Sequence, residues 1–308
     1  MSNRVAWIRG RWACAQWQFQ LHGRMTLPDV WGLAAIATKF ALYLGVLISS
    51  GTIFTSLAFR LDAYRGHSTS LAILGLCAAL FSFLLLSANL TGDVSGLLDR
   101  ELLLLLWSTP AGTTLAYQIT GMGLLVCGLF LGQPGRWISA FGGLIAIWSF
   151  SSIGHIAGQD RLLLKITLAT HLTAIAFWLG VLKPLTKLSS SEQTWPIAAE
   201  LGQRFGLVAI ILVPLLLAAG VYMSFILVGS LNALVNTSYG QTLILKSSLV
   251  SLLLALAAAN KFKFVPALRQ GNPQAAEKLI RSINAEWVII FTILGTTAIL
   301  TSSLTLPM

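Results

Sequence analysis

Two of the four histidines, His155 and His171, fall within apolar stretches of membrane length. Imidazole is a common ligand for copper, zinc, nickel and iron. His171 stands near the start of ITLATHLTAIAFWLGVLKPL, residues 166–185. That length crosses a bilayer core as a helix, which takes about 20 residues. His155 ends the preceding apolar run, and only Gln159, Asp160 and Arg161 interrupt the apolar sequence tightly. The two histidines therefore belong to neighbouring antiparallel helices and lie towards the same side. An ionisable side chain inside a span is costly, so it is by default a functional hypothesis. Trp148 precedes His155 by seven residues and Trp178 follows His171 by seven, so each indole lies two turns further in on its histidine's face. At a rise of 1.5 Å per residue, His171 lies about 5–10 Å deeper than His155, which suits successive stations on a path or one site in an offset hairpin. Met223 is the third candidate metal ligand. It is at the same outer depth, after Gly220 and Tyr222, and thioether sulfur selects Cu(I). Met122, Cys127 and Cys77 would continue a soft-sulfur series inward, although Met and Cys in spans ordinarily pack as apolar filler. Two rival readings stand beside metal ligation. In one, the histidines only bond backbone or Ser/Thr groups at helix contacts, as in a structural partner of a membrane complex. In the other they are axial ligands of a b-type haem in an electron-transfer protein, although so short a loop leaves little room for the ring.

Other intramembrane polar groups are fewer. Lys39 and Lys246 each stand about two turns from the outer end of a span. The expectation is that they reach headgroups or pair with Asp93, Asp99 or Glu101 of the acidic outer loop. Neither is taken as a ligand, because a fixed cation repels a passing one. Pro214 in ILVPLLLAAG should kink its helix or free a carbonyl, and Gly220 should admit a neighbouring helix. The chain has no paired acids, Ser/His/Asp set, phosphate loop, CxxC or HEXXH. The expectation is a protein that is not an enzyme.

The elements that would position these groups are membrane helices. Of 308 residues, 56% are hydrophobic and only 10% charged, against about 25% charged in soluble domains. The fold class expected is an all-α integral membrane protein, a bundle of about eight transmembrane helices in the lipid bilayer. The spans read as 31–59, 69–90, 112–132, 137–156, 166–185, 205–228, 239–259 and 287–304. Leu102–Trp107 is too short to span and reads as a helix lying on the surface. The net charge of +10 does not indicate nucleic acid, because the basic residues sit in short loops that orient helices and meet anionic lipid. Eleven Lys and Arg fall in loops on one side, such as Lys183, Lys261 and Arg281, and three (Arg100, Arg161, Lys165) on the other, or seven with Arg4, Arg9, Arg11 and Arg24 of the N-terminal segment. The richer side is expected to be cytoplasmic, with both termini periplasmic in a bacterial inner membrane. Residues 1–29 read as an N-terminal extension. The first 24 are basic and Trp-rich without the apolar core of a signal peptide. Met25 is an alternative start, and an interfacial segment is the rival reading.

The motifs in order carry a resemblance. They are TGDVSGLLDRELLLLLWSTPAG at 91–112, GH at 154–155, HLTAIAFWLGVLKPL at 171–185 and RFGLVAIILVPLLLAAGVY at 204–222. TSYGQTLILK at 237–246, AAANKF at 257–262 and NAEWVIIFTILG at 284–295 follow. The chain resembles the copper resistance protein D family over roughly residues 30–306, the polytopic membrane domain, with 200–306 similar to the copper resistance D domain itself. The resemblance implies an inner-membrane copper transport and homeostasis protein that moves copper ions from periplasm to cytoplasm. It makes the copper ion the expected ligand and His155 and His171 its candidate holders. Tyr239, Lys246, Asn260 and Glu286 match the pattern without an assigned role. Gln118 stands where the pattern leads one to expect an arginine. The outer loops hold no Met-rich or His-rich collector, so a separate periplasmic copper-binding protein is an expected partner.

Overall fold

A computed structural model describes residues 30–61, 65–152 and 162–302. The N-terminal extension and His155 lie outside the described residues. The helices in order are α1 (Val30–Phe59), α2 (Arg65–Thr91), the short α3 (Arg100–Trp107), α4 (Pro110–Leu129), α5 (Gly132–Trp148) and α6 (Leu162–Ser189). They continue with α7 (Trp195–Val228), α8 (Leu231–Asn236), α9 (Ser238–Ala259), α10 (Val265–Arg269) and α11 (Pro273–Ser302). Among the described residues, seven helical segments are long and apolar enough to cross a membrane, carried by α1, α2, α4, α6, α7, α9 and α11. The remaining predicted span, 137–156, is met by α5, of 17 residues, followed by a 3-10 turn at Ser149–Ser152. Large apolar side chains such as Leu207, Ile210 and Ile211 are exposed on α7, which suits a hydrocarbon surround.

Loop chemistry sets the ends. Thr109 caps α4 ahead of Pro110 at its first turn, and the Thr237 side chain caps α9. In the acidic loop, Asp93 accepts from Ser95 at the start of a 3-10 turn and Asp99 accepts from the Leu102 N–H to cap α3. The hydrogen bonds from Ser95 hold the exposed Asp93 carboxyl below its ordinary range. No side chain of α3 is buried, as expected of a surface helix. Two helices overrun their predicted spans at the inner end, α7 by ten residues and α11 by fourteen. Sequence hydropathy ends where charge begins, but the helix does not. Both overruns carry an i,i+4 pair, Glu200–Arg204 and Glu277–Arg281, which supports helix at a surface while adding little stability.

The bundle is organised around α1, which packs on α2, α5, α6 and α11. Its crossing with α6 depends on two glycines. A Cβ at Gly51 would lie 1.8 Å from the Ala176 carbonyl oxygen, and one at Gly180 would lie 2.0 Å from that of Gly51. The helices meet backbone to backbone, the close approach that small residues give membrane interfaces. This contact sets the position of α6, the helix that carries His171 and Trp178. The two ends of the described chain lie on one side: Lys39 on α1 donates to the Thr301 carbonyl at the end of α11, 2.9 Å away.

Candidate functional site

A cavity of about 1390 Å³ runs between α1, α2, α4, α6, α7, α9 and α11, in the half of the bundle that holds the start of α1 and the end of α11. It reaches Ser230 and Thr301 at the helix ends on that side, and Trp178 is among its lining residues. Most of its surface is apolar, with Lys39, Asn89, Gln118, His171, Tyr239 and Lys246 among the polar side chains that line it.

His171 lines this cavity from α6. Its Nδ1 is 3.1 Å from the Leu216 carbonyl oxygen on α7. A carbonyl only accepts, so Nδ1 carries the proton and Nε2 keeps its lone pair. Metal-bound histidines are held in this way, with one ring nitrogen donating to backbone and the other free to ligate. The same bond is also what a histidine that merely joins two helices would make, so the ring's place in the cavity lining is the feature pointing to a ligand. Gly220, one turn beyond Leu216, faces the imidazole, and a Cβ there would lie 3.6 Å from His171 Cε1. That is ordinary contact, so Gly220 is not required for the approach of α6 and α7. Met223 lines the same cavity, three residues and about 4.5 Å along the axis from Gly220. His171 and Met223 thus both line one cavity, from α6 and α7.

The other sulfur groups do not extend this pair. Cys77 and Cys127 are exposed on the helix surface, and Met122 is sealed in the core with its Cε beside Gly75. The inward sulfur series is therefore absent among the described residues, because the helical turn at 77 and 127 points those side chains away from the bundle. The predicted pairing of Lys39 with the acidic loop is also absent. Lys39 instead caps the C-terminal carbonyls of α11, where a cation suits the helix dipole, and Asp93 and Asp99 are used as caps. Lys246 lines the cavity. Pro214 lies within α7, whose helix continues through it.

A second polar group lies behind the cavity. Glu286 of α11 is 2% exposed, and its carboxylate accepts from two side chains. Trp178 Nε1 donates to Oε2 at 3.2 Å, and Asn260 Nδ2 donates to Oε1 at 2.5 Å. Trp178 also lines the cavity, whereas Glu286 does not, so the indole stands between the two. Asn260 opens a π-helical turn, Asn260–Phe264, at the inner end of α9. Glutamate and asparagine inside apolar runs are legible in sequence as isolated polar residues. Their meeting with Trp178 is not, because it joins three elements distant along the chain. Among the described residues, no three His, Cys, Asp or Glu side chains gather in one group.

An all-α bundle with a deep, mostly apolar cavity and an imidazole presented on its wall defines a polytopic membrane protein with a candidate ion or ligand site. Residues 199–300 match Copper resistance protein D, and residues 27–166 match the Copper resistance protein D-like N-terminal domain. The chain belongs to the copper resistance protein D family. It is 28% identical over 296 residues to the copper transport protein CutJ of Bacillus subtilis, covering 86% of this chain and 52% of that protein. It is 31% identical over 144 residues to the inner membrane protein YebZ of Escherichia coli, covering 45% of this chain and 49% of that one. The chain thus spans about half the length of the curated relatives it matches. No solved structure matches it significantly.

Proposed function

We propose that this protein is an inner-membrane copper permease that admits copper ions from the periplasm and passes them towards the cytoplasm. The observation that carries the reading is His171, which lines the cavity with its Nδ1–H committed to the Leu216 carbonyl, so that Nε2 keeps its lone pair. Met223 supplies a thioether to the lining of the same cavity, and a nitrogen–sulfur pair favours Cu(I). His155 is the outer station, one helix earlier, where copper released by a periplasmic copper-binding protein would first be held. Family membership and a relative named as a copper transport protein support the cargo. The excess of Lys and Arg on the opposite face supports the direction. The cavity's outer mouth would then face the periplasm, with both chain ends on that side.

Detergent-purified protein, titrated with copper(I) under reducing conditions, tests the site. Wild type should bind copper near stoichiometrically, and His155→Ala/His171→Ala should lose it. In cells, the double variant should accumulate less copper than wild type. Unchanged binding and unchanged uptake would remove the ligand role. A Soret band with iron in place of copper would move the reading to haem.

A further inference from the structure

Glu286 has no part in the copper site just described, and its surroundings are unusual. Its carboxyl group is enclosed, and both of its hydrogen-bond donors, Trp178 and Asn260, are neutral. The helices and turns packed against α11 carry Lys39, Lys165, His171, Lys183, Lys187, Lys246, Lys261, Lys263 and Arg269. Among the described residues, none of them forms an ion pair with Glu286. Lys261, next to Asn260 in sequence, turns away, with its stem over Gly206 and its ammonium 5.3 Å from the Phe262 ring centroid. A carboxylate taken from water without a cation is strongly disfavoured. Such a group is held with a proton on it, or with a mobile cation close by.

A second observation concerns Asn260. Its Oδ1 is buried and has no hydrogen-bond partner. An amide presents a donor and an acceptor at the same site and exchanges them by turning over. With Glu286 ionised, Asn260 Nδ2–H donates to it. With Glu286 protonated, Asn260 Oδ1 accepts the acid O–H, and the orphan oxygen is satisfied. Trp178 donates to the other carboxyl oxygen in both states. The cradle therefore serves both protonation states of one carboxyl group. The π turn that begins at Asn260 sets the amide against α11, and single π turns within helices recur at functional sites.

The geometry points to Glu286 as a proton-binding site coupled to passage of the cargo. This rests on the copper reading above and adds its partner ion. When the path is empty, Glu286 holds a proton shared with Asn260. When a copper ion moves down the cavity to Trp178, its positive charge replaces that of the proton. The Glu286 O–H bond breaks, the proton passes to water and is released to solution as hydronium, and the carboxylate remains with Asn260 turned to donate. When copper has moved on, the carboxylate takes up a proton again. Trp178 couples the two events, because one face of the indole forms cavity wall while its N–H holds the carboxylate.

The test is infrared difference spectroscopy on the full chain in liposomes, with copper(I) added, alongside a pH-reporting dye inside the vesicles. Wild type should show a protonated carboxyl stretch that titrates with pH and diminishes on addition of copper(I). Glu286→Gln keeps an acceptor for Trp178 and supplies an amide N–H to Asn260 Oδ1. It should lose both the band and the copper-linked proton release while retaining copper(I) affinity at His171. If Glu286→Gln does not fold, Asn260→Leu should move the pH at which the band titrates. A wild-type protein without a protonated carboxyl band, or a band and proton release that survive in Glu286→Gln, overturns the proposal. Vesicles that take up copper while the band stays fixed overturn the coupling. Wild-type vesicles that take up no copper overturn the copper reading instead, and pH titration of the band then decides the proton site alone.

Discussion

Where α1 crosses α6, Gly51 and Gly180 bring two backbones into direct contact, and most of the inner half of α1 is buried. Where α7 faces α9, the packing is open. Of the 22 residues of α9, only Tyr239, Gly240 and Leu253 are buried, and the space beside it is the cavity. The same composition, apolar with scattered Gly and Ser, is used for opposite ends. Small residues in register close one interface, and aliphatic side chains without a facing surface leave the other wide. The tight half gives α6 a fixed address, and the open half gives its histidine something to face. A site that handles an ion needs both, a ligand held within tenths of an ångström and a volume that the ion can enter.

The contrast can be broken most severely at its closed end. Gly180→Leu would drive a side chain into the Gly51 backbone. The expected cost exceeds the usual 1–3 kcal/mol, roughly, of core overpacking, because backbone cannot yield as a side chain does. The measurable result is loss of monodisperse protein after detergent extraction. A folded Gly180→Leu protein would show that the crossing is not a fixed joint. Next in size is the polar group behind the cavity. Asn260→Leu withdraws one of two hydrogen-bond partners from an enclosed carboxyl group and should cost about 1–3 kcal/mol in unfolding free energy. Trp178→Phe keeps the ring but loses the N–H, for about 1 kcal/mol by the same reasoning. Denaturant melts in one detergent would rank the two.

The open half should respond differently. His171→Ala removes one hydrogen bond from a partly buried ring beside a cavity, so stability should fall by no more than about 1.5 kcal/mol. Copper(I) affinity should fall by at least about tenfold, the lower end of what even a supporting partner of a metal site contributes. A His171→Ala protein that unfolds readily while binding copper normally would make the ring a packing residue and dissolve the comparison. The smallest effect belongs to Gly220→Ala. The added methyl meets the imidazole at contact distance, and stability should shift by within about 0.5 kcal/mol, with copper affinity unchanged. A large loss there would mean that the open half is as closely fitted as the Gly51–Gly180 crossing.

Much of the fold is legible in the chain because the bilayer imposes it. A hydrocarbon core about 30 Å thick demands apolar runs of a set length, and such runs mark the spans of α1, α2, α4, α6, α7 and α9 to within a few residues on their apolar side. The inner overruns of α7 and α11 were not legible, since hydropathy stops at Glu200–Arg204 and Glu277–Arg281 while the helical hydrogen bonding continues. His171 and Met223 were legible as metal-binding types of residue, and both line the cavity. Of the alternatives weighed, a sulfur series through Cys77 and Cys127 and a pairing of Lys39 with the acidic loop are the ones that orientation excludes. Depth follows from counting along a helix, but facing depends on which neighbours the helix turns towards.

Residue types and run lengths alone determine that this chain is an all-α membrane protein with rare polar groups inside its spans, because burying charge in hydrocarbon is costly wherever it occurs. Tertiary structure decides which of those groups meet. Glu286, Asn260 and Trp178 come from α11, the π turn after α9, and α6, separated by 26 and 108 residues. No local pattern encodes a hydrogen bond between them. It exists because the Gly51–Gly180 contact and the docking of α11 on α1, α6 and α9 place three side chains within reach of one another.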